Sequence, residues 1–419
     1  MNRISLKTFI LFTFMLLFFG CAATNNRPRA VNGSLDLSSW SFDQDGISYL
    51  DGDWEFYWGR LLKPGDLNLP DPPERTGYFA IPGYWNDFIV ADKPLSGYGC
   101  ATFRLRVKVR PGERQLALRI EDQSSAYQLW VNGVLIMSNG QVGPDRGTSR
   151  PYFRISRAAI PEGAEDLECV LLVSNFDLAH GGPCSKIAIG TEAAINKRHE
   201  ALFALDLMLF AILGIMGIYH LVFYLLRRRE RSFLYFGFFC LSWAAGIPFG
   251  ATSGRFITLL IPDFPWFLLY RMADLTWIPI VPLGIMFFRE LYPEEFSLRA
   301  VRFFQVMGIL FFLFALFIPL TYFDLTTTPY SAITMAVVLY TILMLFRAAR
   351  LGRSGAAVML TGFLFFAATG VNDILYMYLL IDSVYLVSVG IAVMILAQSF
   401  ALASRFARAF SSVETHPVP

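Results

Sequence analysis

Ionisable and amide side chains sit inside long apolar runs of this sequence, among them His220, Arg271, Asp274, Asn372, Asp373 and Gln398. Such a group is costly in hydrocarbon unless it has a partner or a task, so these positions mark either internal glue or a relay in a membrane protein. Arg271 and Asp274 lie three apart, on one face of a helix, where they can neutralise each other. Pairing of Asp274 with His220, or of Arg271 with Asp373, would instead build a charge network across a helix bundle. Snorkelling of Arg271 to the interface is a third arrangement that satisfies the same spacing.

A second set, upstream, has the chemistry of sugar recognition. "YLDGDWEFYWGRLL" (Tyr49 to Leu62) packs five aromatic rings and three acidic residues into one short segment. Aromatic faces stack on the apolar face of a pyranose while carboxylates and amides bind its hydroxyls. Trp54, Phe56 and Trp58 would share one face of an extended strand, with Glu55 and Tyr57 on the other. The same pattern therefore also describes a core-facing strand entered by the turn Leu50 to Asp53. On the sugar reading the binding residues are Trp58, then Tyr84, Trp85, Asn86 and Asp87 after Pro82-Gly83, and Asn139, Gln141, Asp145 and Arg146 after a hairpin. There is no Cys-x-x-Cys or His/Cys cluster, no P-loop and no Gly-x-Ser-x-Gly. No metal, no cofactor and no catalytic activity are expected.

The elements that must position these residues fall into two unlike halves. With 55% hydrophobic and 16% charged residues, much of the chain belongs in lipid. Lys197 is the last lysine, and the later basic residues are arginines grouped in short loops, a topology signal that excludes a nucleic-acid surface. Arg3 and Lys7, the apolar run Phe9 to Phe19 and the small residues Gly20 to Ala23 read as an export signal over 1–23. Gly20-Cys21 is similar to a lipoprotein cleavage site, so acylation of Cys21, cleavage after Ala23 and a retained anchor are the alternatives. A polar tether follows over 24–35.

From 36 to 190 the pattern alternates with period two. Strands are expected at Ala101 to Val109, Gln115 to Glu121, Tyr152 to Ile155, Glu168 to Ser174 and Lys186 to Ile189, with a hairpin over Tyr127 to Ile136 turning at Val131-Asn132-Gly133. Together they predict a β-sandwich. Cys100, Cys169 and Cys184 fall in this region, as a Cys169–Cys184 bridge or as buried thiols. Over 200–404 seven apolar blocks follow, about 203–226, 233–253, 265–288, 303–323, 329–346, 356–380 and 382–403, each long enough to cross a bilayer as a helix. The first, third and fifth connections and the tail carry the arginines, Arg227 to Arg229, Arg231, Arg289, Arg299, Arg302, Arg347, Arg350, Arg353, Arg405 and Arg408, against only Arg255 on the other side. Arginine retention then places the sandwich outside and the C-terminus in the cytoplasm.

"YLDGDWEFYWGRLL", "IPGYWND" (Ile81 to Asp87), "GYGCATFRLRV" (Gly97 to Val107) and "SAYQLWVNGVLIMSNGQVG" (Ser125 to Gly143), followed by seven spans, resemble the bacterial seven-transmembrane receptors with diverse intracellular signalling modules. The resemblance runs from about 36 to 410. It implies an exported all-β jelly roll similar to galactose-binding and glycosidase-associated sugar-binding domains, then an all-α seven-helix bundle in the inner membrane. It further implies a carbohydrate or related small-molecule ligand, and a cytoplasmic kinase, cyclase, phosphatase or diguanylate cyclase as output module or partner protein. Outputs of that family commonly act as dimers, which implies a homodimer. In the segment 405–419, Ser404 to Glu414 reads as the start of the connector that leads to such an output. The chain stops at Pro419 without one, so the output is expected from a longer product or a separate partner; His416 has no helical context for a phosphoacceptor. A transporter or channel is the alternative, but it predicts repeated halves, and no repeat is found among the spans.

Overall fold

The computed structural model describes residues 27–113, 115–121, 123, 125–161, 165–250, 256–322, 324–381 and 383–415, with residues 324, 325 and 402–415 described by their backbone alone. The export signal with Cys21, together with Arg255 and His416, lies outside the described residues.

The first half is all β. Its strands are β1 (Ser34–Leu37), β2 (Ser48–Tyr49), β3 (Gly52–Trp58), β4 (Gly77–Ile81), β5 (Ile89–Val90), β6 (Lys93–Pro94) and β7 (Gly99–Val109). They continue as β8 (Leu116–Ile120), β9 (Ala126–Val131), β10 (Val134–Asn139), β11 (Ser156–Ala159), β12 (Asp166–Asn175) and β13 (Ile187–Thr191). One sheet runs β10-β9-β12-β7-β3-β4, a second runs β11-β8-β13-β2, and β5 and β6 form a small ribbon. The long strand β7 carries β12 along one edge, and β3 and the parallel β1 end to end along the other.

Period-two patterning explains the packing. On β7, Phe103, Leu105, Val107 and Val109 are buried while Arg106 and Lys108 are exposed. Those inward residues join Phe56, Leu129 and Leu171 of the same sheet and Leu118, Ile120, Ile187 and Ile189 of the second in one core. Each fully buried side chain of this size contributes roughly 1.5–3 kcal/mol. Asn132 and Gly133 take φ of 49° and 79°, the left-handed pair a two-residue hairpin requires.

One expectation is corrected here, and one open alternative is decided. Tyr152 to Ile155 is not a strand; the strand is β11, four residues on, because Tyr152 and Phe153 leave the sheet to pack on helices. Cys100, Cys169 and Cys184 are free thiols, with no Cys169–Cys184 bridge. Cys169 is sealed inside β12, where burial pushes its thiol up to about 12.

The second half is helical: α1 (Glu192–Leu226), α2 (Arg231–Gly246), α3 (Trp266–Trp277), α4 (Ile280–Leu291), α5 (Leu298–Phe317), α6 (Asp324–Arg350), α7 (Ala356–Met377) and α8 (Val387–Thr415). β13 runs straight into α1, whose first turn is capped by Thr191 accepting from the Ala194 N–H at 3.2 Å. Among the described residues six helical segments are long and apolar enough to cross a membrane, α3 and α4 counting as one segment, broken where Pro279 stands. The chain is thus a multi-pass membrane protein. The seventh block departs from expectation: its helix begins at Val387 rather than near 382, and its described apolar part, Val387–Ala401, is shorter than the six.

Small residues let the helices close up. A Cβ on Gly217 of α1 would stand 2.7 Å from Leu241 of α2, and one on Gly390 of α8 would stand 1.9 Å from the Thr369 hydroxyl of α7. Close backbone approach of this kind is how helices associate where lipid removes the hydrophobic drive.

Candidate functional site

The β domain and the bundle meet through aromatic residues that the sequence reading missed. Phe153 is fully buried, its ring 5.4 Å from Tyr270 and 5.7 Å from Trp266 on the first turns of α3. Beside it the Tyr152 hydroxyl donates to the Pro262 carbonyl at 2.6 Å. Burial, reinforced by the Asp263 charge, holds that phenol above its ordinary pKa. On the other side the Lys186 ammonium lies 5.2 Å from the Tyr49 ring and 5.7 Å from the Tyr376 ring of α7. The signal available beforehand was the Pro151-Tyr152-Phe153 run and the i, i+4 pair Trp266 and Tyr270.

One residue beyond Tyr270 stands Arg271. Asp274, Asp373 and the membrane interface were the destinations open to it. Instead its guanidinium donates to the Leu316 carbonyl and, at 2.7 Å, to the Ile318 carbonyl, at the C-terminal end of α5. The reason is geometric: a helix end offers carbonyls without intrahelical partners, and a cation there also meets the negative end of the helix dipole.

Asp373 does the complementary thing at a helix start. Its two carboxylate oxygens accept from the Leu386 and Val387 N–H groups at 2.7 and 2.9 Å, capping α8. Asn372 donates to Asp373 at 3.0 Å and to the Val384 carbonyl at 2.8 Å, and accepts from the Ser383 hydroxyl at 2.7 Å. Together they tie the α7–α8 connection, which is why α8 begins later than its apolar run suggested. Asp274 and Asp373 both line a chamber of about 420 Å3 inside the bundle.

At the opposite end of α1, His220 is buried and meets Gln398 of α8, not Asp274. His220 Nδ1 lies 2.7 Å from the Met216 carbonyl, which can only accept, so Nδ1 carries the proton. Nε2 then accepts from the Gln398 amide at 3.1 Å. This links the first and last helices directly.

In the β domain the residues named for sugar binding divide. Trp85 is fully buried, donates from Nε1 to the Gly97 carbonyl at 3.1 Å and meets Trp58 edge-on at 5.2 Å. It is a core residue, not an exposed stacking platform. Asn86 donates to the Ala179 carbonyl at 2.9 Å and accepts from the Gly181 N–H at 3.0 Å, clamping the β12–β13 loop. Asn139 is buried and donates to the Tyr152 carbonyl at 2.9 Å, which places it behind the junction. Gln141 is exposed and holds Arg150 through backbone bonds alone, while Asp145 accepts from the Gly147 and Thr148 N–H groups to shape its own turn.

The β12–β13 loop gathers what remains accessible. Tyr84 packs on His180 at 5.4 Å, exposed Asp87 follows on the same connection, and Arg146 lies 3.8 Å from Asp177. Burial raises the Asp177 carboxyl above its ordinary range, against the lowering pull of Arg146. Asp177 and His180 were not anticipated, since a loop after a strand gives no pattern to read.

The described residues thus combine an all-β domain with a multi-span membrane bundle whose helices are joined by buried polar links. Residues 203–405 match the family model described as 7TM diverse intracellular signalling. No curated protein matches the chain. Among solved structures, Faecalibacterium prausnitzii β-glucuronidase is 14% identical over 34% of this chain and 31% of its own, with a TM-score of 0.26. Bifidobacterium dentium β-glucuronidase complexed with coumarin-3-O-glucuronide is 17% identical over 35% of this chain and 30% of its own, with a TM-score of 0.28. The chain thus spans about a third or less of the length of these proteins, and at such scores the likeness says nothing of activity or ligand.

Proposed function

We propose that the chain is a transmembrane receptor. Its β domain, read as an exported jelly roll, senses a carbohydrate or related small molecule, and a seven-helix bundle relays the event to a cytoplasmic output module or partner. The observation that carries this is the junction: Phe153 buried against Trp266 and Tyr270, with Lys186 on Tyr376. Tyr270 adjoins Arg271, which holds the end of α5, and Tyr376 lies one turn from Asp373, which holds the start of α8. A shift of the β domain therefore reaches groups that fix two other helices, and α8 continues beyond the bundle as Phe406 to Thr415. The arginine distribution supports the β domain outside and the α8 end in the cytoplasm.

On this reading the ligand meets Tyr84, Asp87, Arg146, Asp177 and His180 around the β12–β13 loop, with Trp58, Trp85, Asn86 and Asn139 behind it as framework. Signalling requires the ligand to prefer one arrangement of the junction over the other. The test is to probe the full chain in lipid nanodiscs with a glycan array, then follow hydrogen exchange with the strongest binder. Slowed or accelerated exchange over 266–277 and 370–377 is expected. Binding that leaves both segments unchanged, or no glycan binding at all, would overturn the proposal.

A further inference from the structure

The bundle encloses a chamber that lies apart from the loops of the β domain. It is walled by all the helices except α5, and its volume of about 420 Å3 lies within the range of pockets that hold small organic molecules. Its surface is mainly that of aromatic and aliphatic side chains, Phe239, Trp277, Phe288 and Phe366 among them. Besides Ser and Thr hydroxyls such as Ser242, Thr341 and Ser388, two kinds of polar group interrupt it. Acceptors are supplied by the carboxylates of Asp206, Asp274 and Asp373. A donor is supplied by Trp243, whose indole N–H is buried and has no acceptor among the described residues.

A buried N–H without an acceptor is an uncommon and costly arrangement in a folded protein. A hydroxyl group answers both kinds of wall, since it donates to a carboxylate and accepts from an indole N–H. We propose that the bundle binds a small, mainly apolar alcohol in this chamber, its hydrocarbon body against the aromatic wall and its hydroxyl toward Trp243 and the carboxylates. Tyr270 and Tyr376, the junction residues, stand one turn from Asp274 and Asp373, so a molecule held here adjoins the contacts made by the β domain. The site stands whether or not the β domain binds a sugar.

Gly370 provides the test. It lines the chamber, and a Cβ built on it meets nothing within 4 Å, so a larger side chain there enters the empty volume and not the packed wall. Gly214 of α1 also meets nothing within 4 Å but lies outside the chamber lining, and serves as control. The full chain in nanodiscs is photolabelled with 3-azioctanol, an aliphatic alcohol carrying a diazirine, and adducts are mapped by mass spectrometry with and without excess octanol. Expected are adducts on chamber residues that fall at least tenfold with competitor and in Gly370→Phe, but persist in Gly214→Phe. A thermal melt of each variant confirms folding, and if Gly370→Phe melts early, Gly370→Leu replaces it. Labelling confined to lipid-facing positions such as Ile215, Ile218 and Phe317, or chamber labelling that excess octanol does not displace, would overturn the proposal.

Discussion

If Arg271 and Asp373 each secure a different helix end, their removal must act independently. Asp373→Asn leaves one acceptor oxygen where two stood and turns an NH2 group toward a backbone N–H. A hydrogen bond to a charged group contributes about 1.5–3 kcal/mol, while polar contacts between membrane helices average nearer 0.6. A cost of about 1–2 kcal/mol follows, confined to the first turn of α8, or roughly a 5- to 30-fold rise in local opening at 1.4 kcal/mol per tenfold. Arg271→Leu removes two bonds to the α5 carbonyls of Leu316 and Ile318 and should cost a similar about 1–3 kcal/mol there. Hydrogen exchange over 384–392 reads the first effect, and unfolding in mixed micelles of wild type, both single variants and the double variant reads the cycle. The two costs should add within about 0.5 kcal/mol, because the groups share no partner. Unchanged exchange at Leu386 and Val387 in Asp373→Asn would refute the cap. A coupling above about 1 kcal/mol would restore the ion pair across the bundle.

Two further outcomes are expected. Phe153→Ala empties a fully buried aromatic site at the junction and should cost about 3–5 kcal/mol, seen as a lower unfolding midpoint and faster exchange over 264–271; a midpoint unchanged within 1 °C would mean the two halves do not bear on each other there. Cys169, its thiol pushed up to about 12 by burial, carries about one part in 10^5 thiolate at pH 7. Maleimide should therefore modify the partly exposed Cys184 first and Cys169 only in denaturant, and labelling of Cys169 in the folded protein would contradict the sealed β12 core.

Patterning made much of the architecture legible. Alternation along Ala101 to Val109 predicted β7, Asn132-Gly133 predicted the β9–β10 turn, and six of the seven apolar blocks coincide with membrane-length helices among the described residues. The core reading of "DWEFYW" also stands in the structure, with Trp54 and Phe56 fully buried and Glu55 engaged by Tyr57 at 3.0 Å and Arg104 at 3.8 Å. Tyr152 to Ile155 misled because aromatic residues with a β-branched neighbour look alike whether they pack on a sheet or on another domain. Trp85 misled because a Pro-Gly turn signals exposure, while its indole packs against Gly181 and donates to the Gly97 carbonyl.

What this sequence determines by itself is what depends on near neighbours: period-two burial, helix length against bilayer thickness, turns that need left-handed residues, and the grouping of arginines on alternate connections. It also identified several of the polar groups in the apolar runs, which needs only their positions along the chain, but it passed over Asp206 on the chamber wall. The partners of those groups were decided by the tertiary structure alone. His220 and Gln398 are 178 residues apart, and Arg271 reaches carbonyls 45 and 47 residues away. A charge in the bundle satisfies itself at whichever helix end the packing brings near, and the helix ends offer backbone dipoles that no side-chain pattern announces.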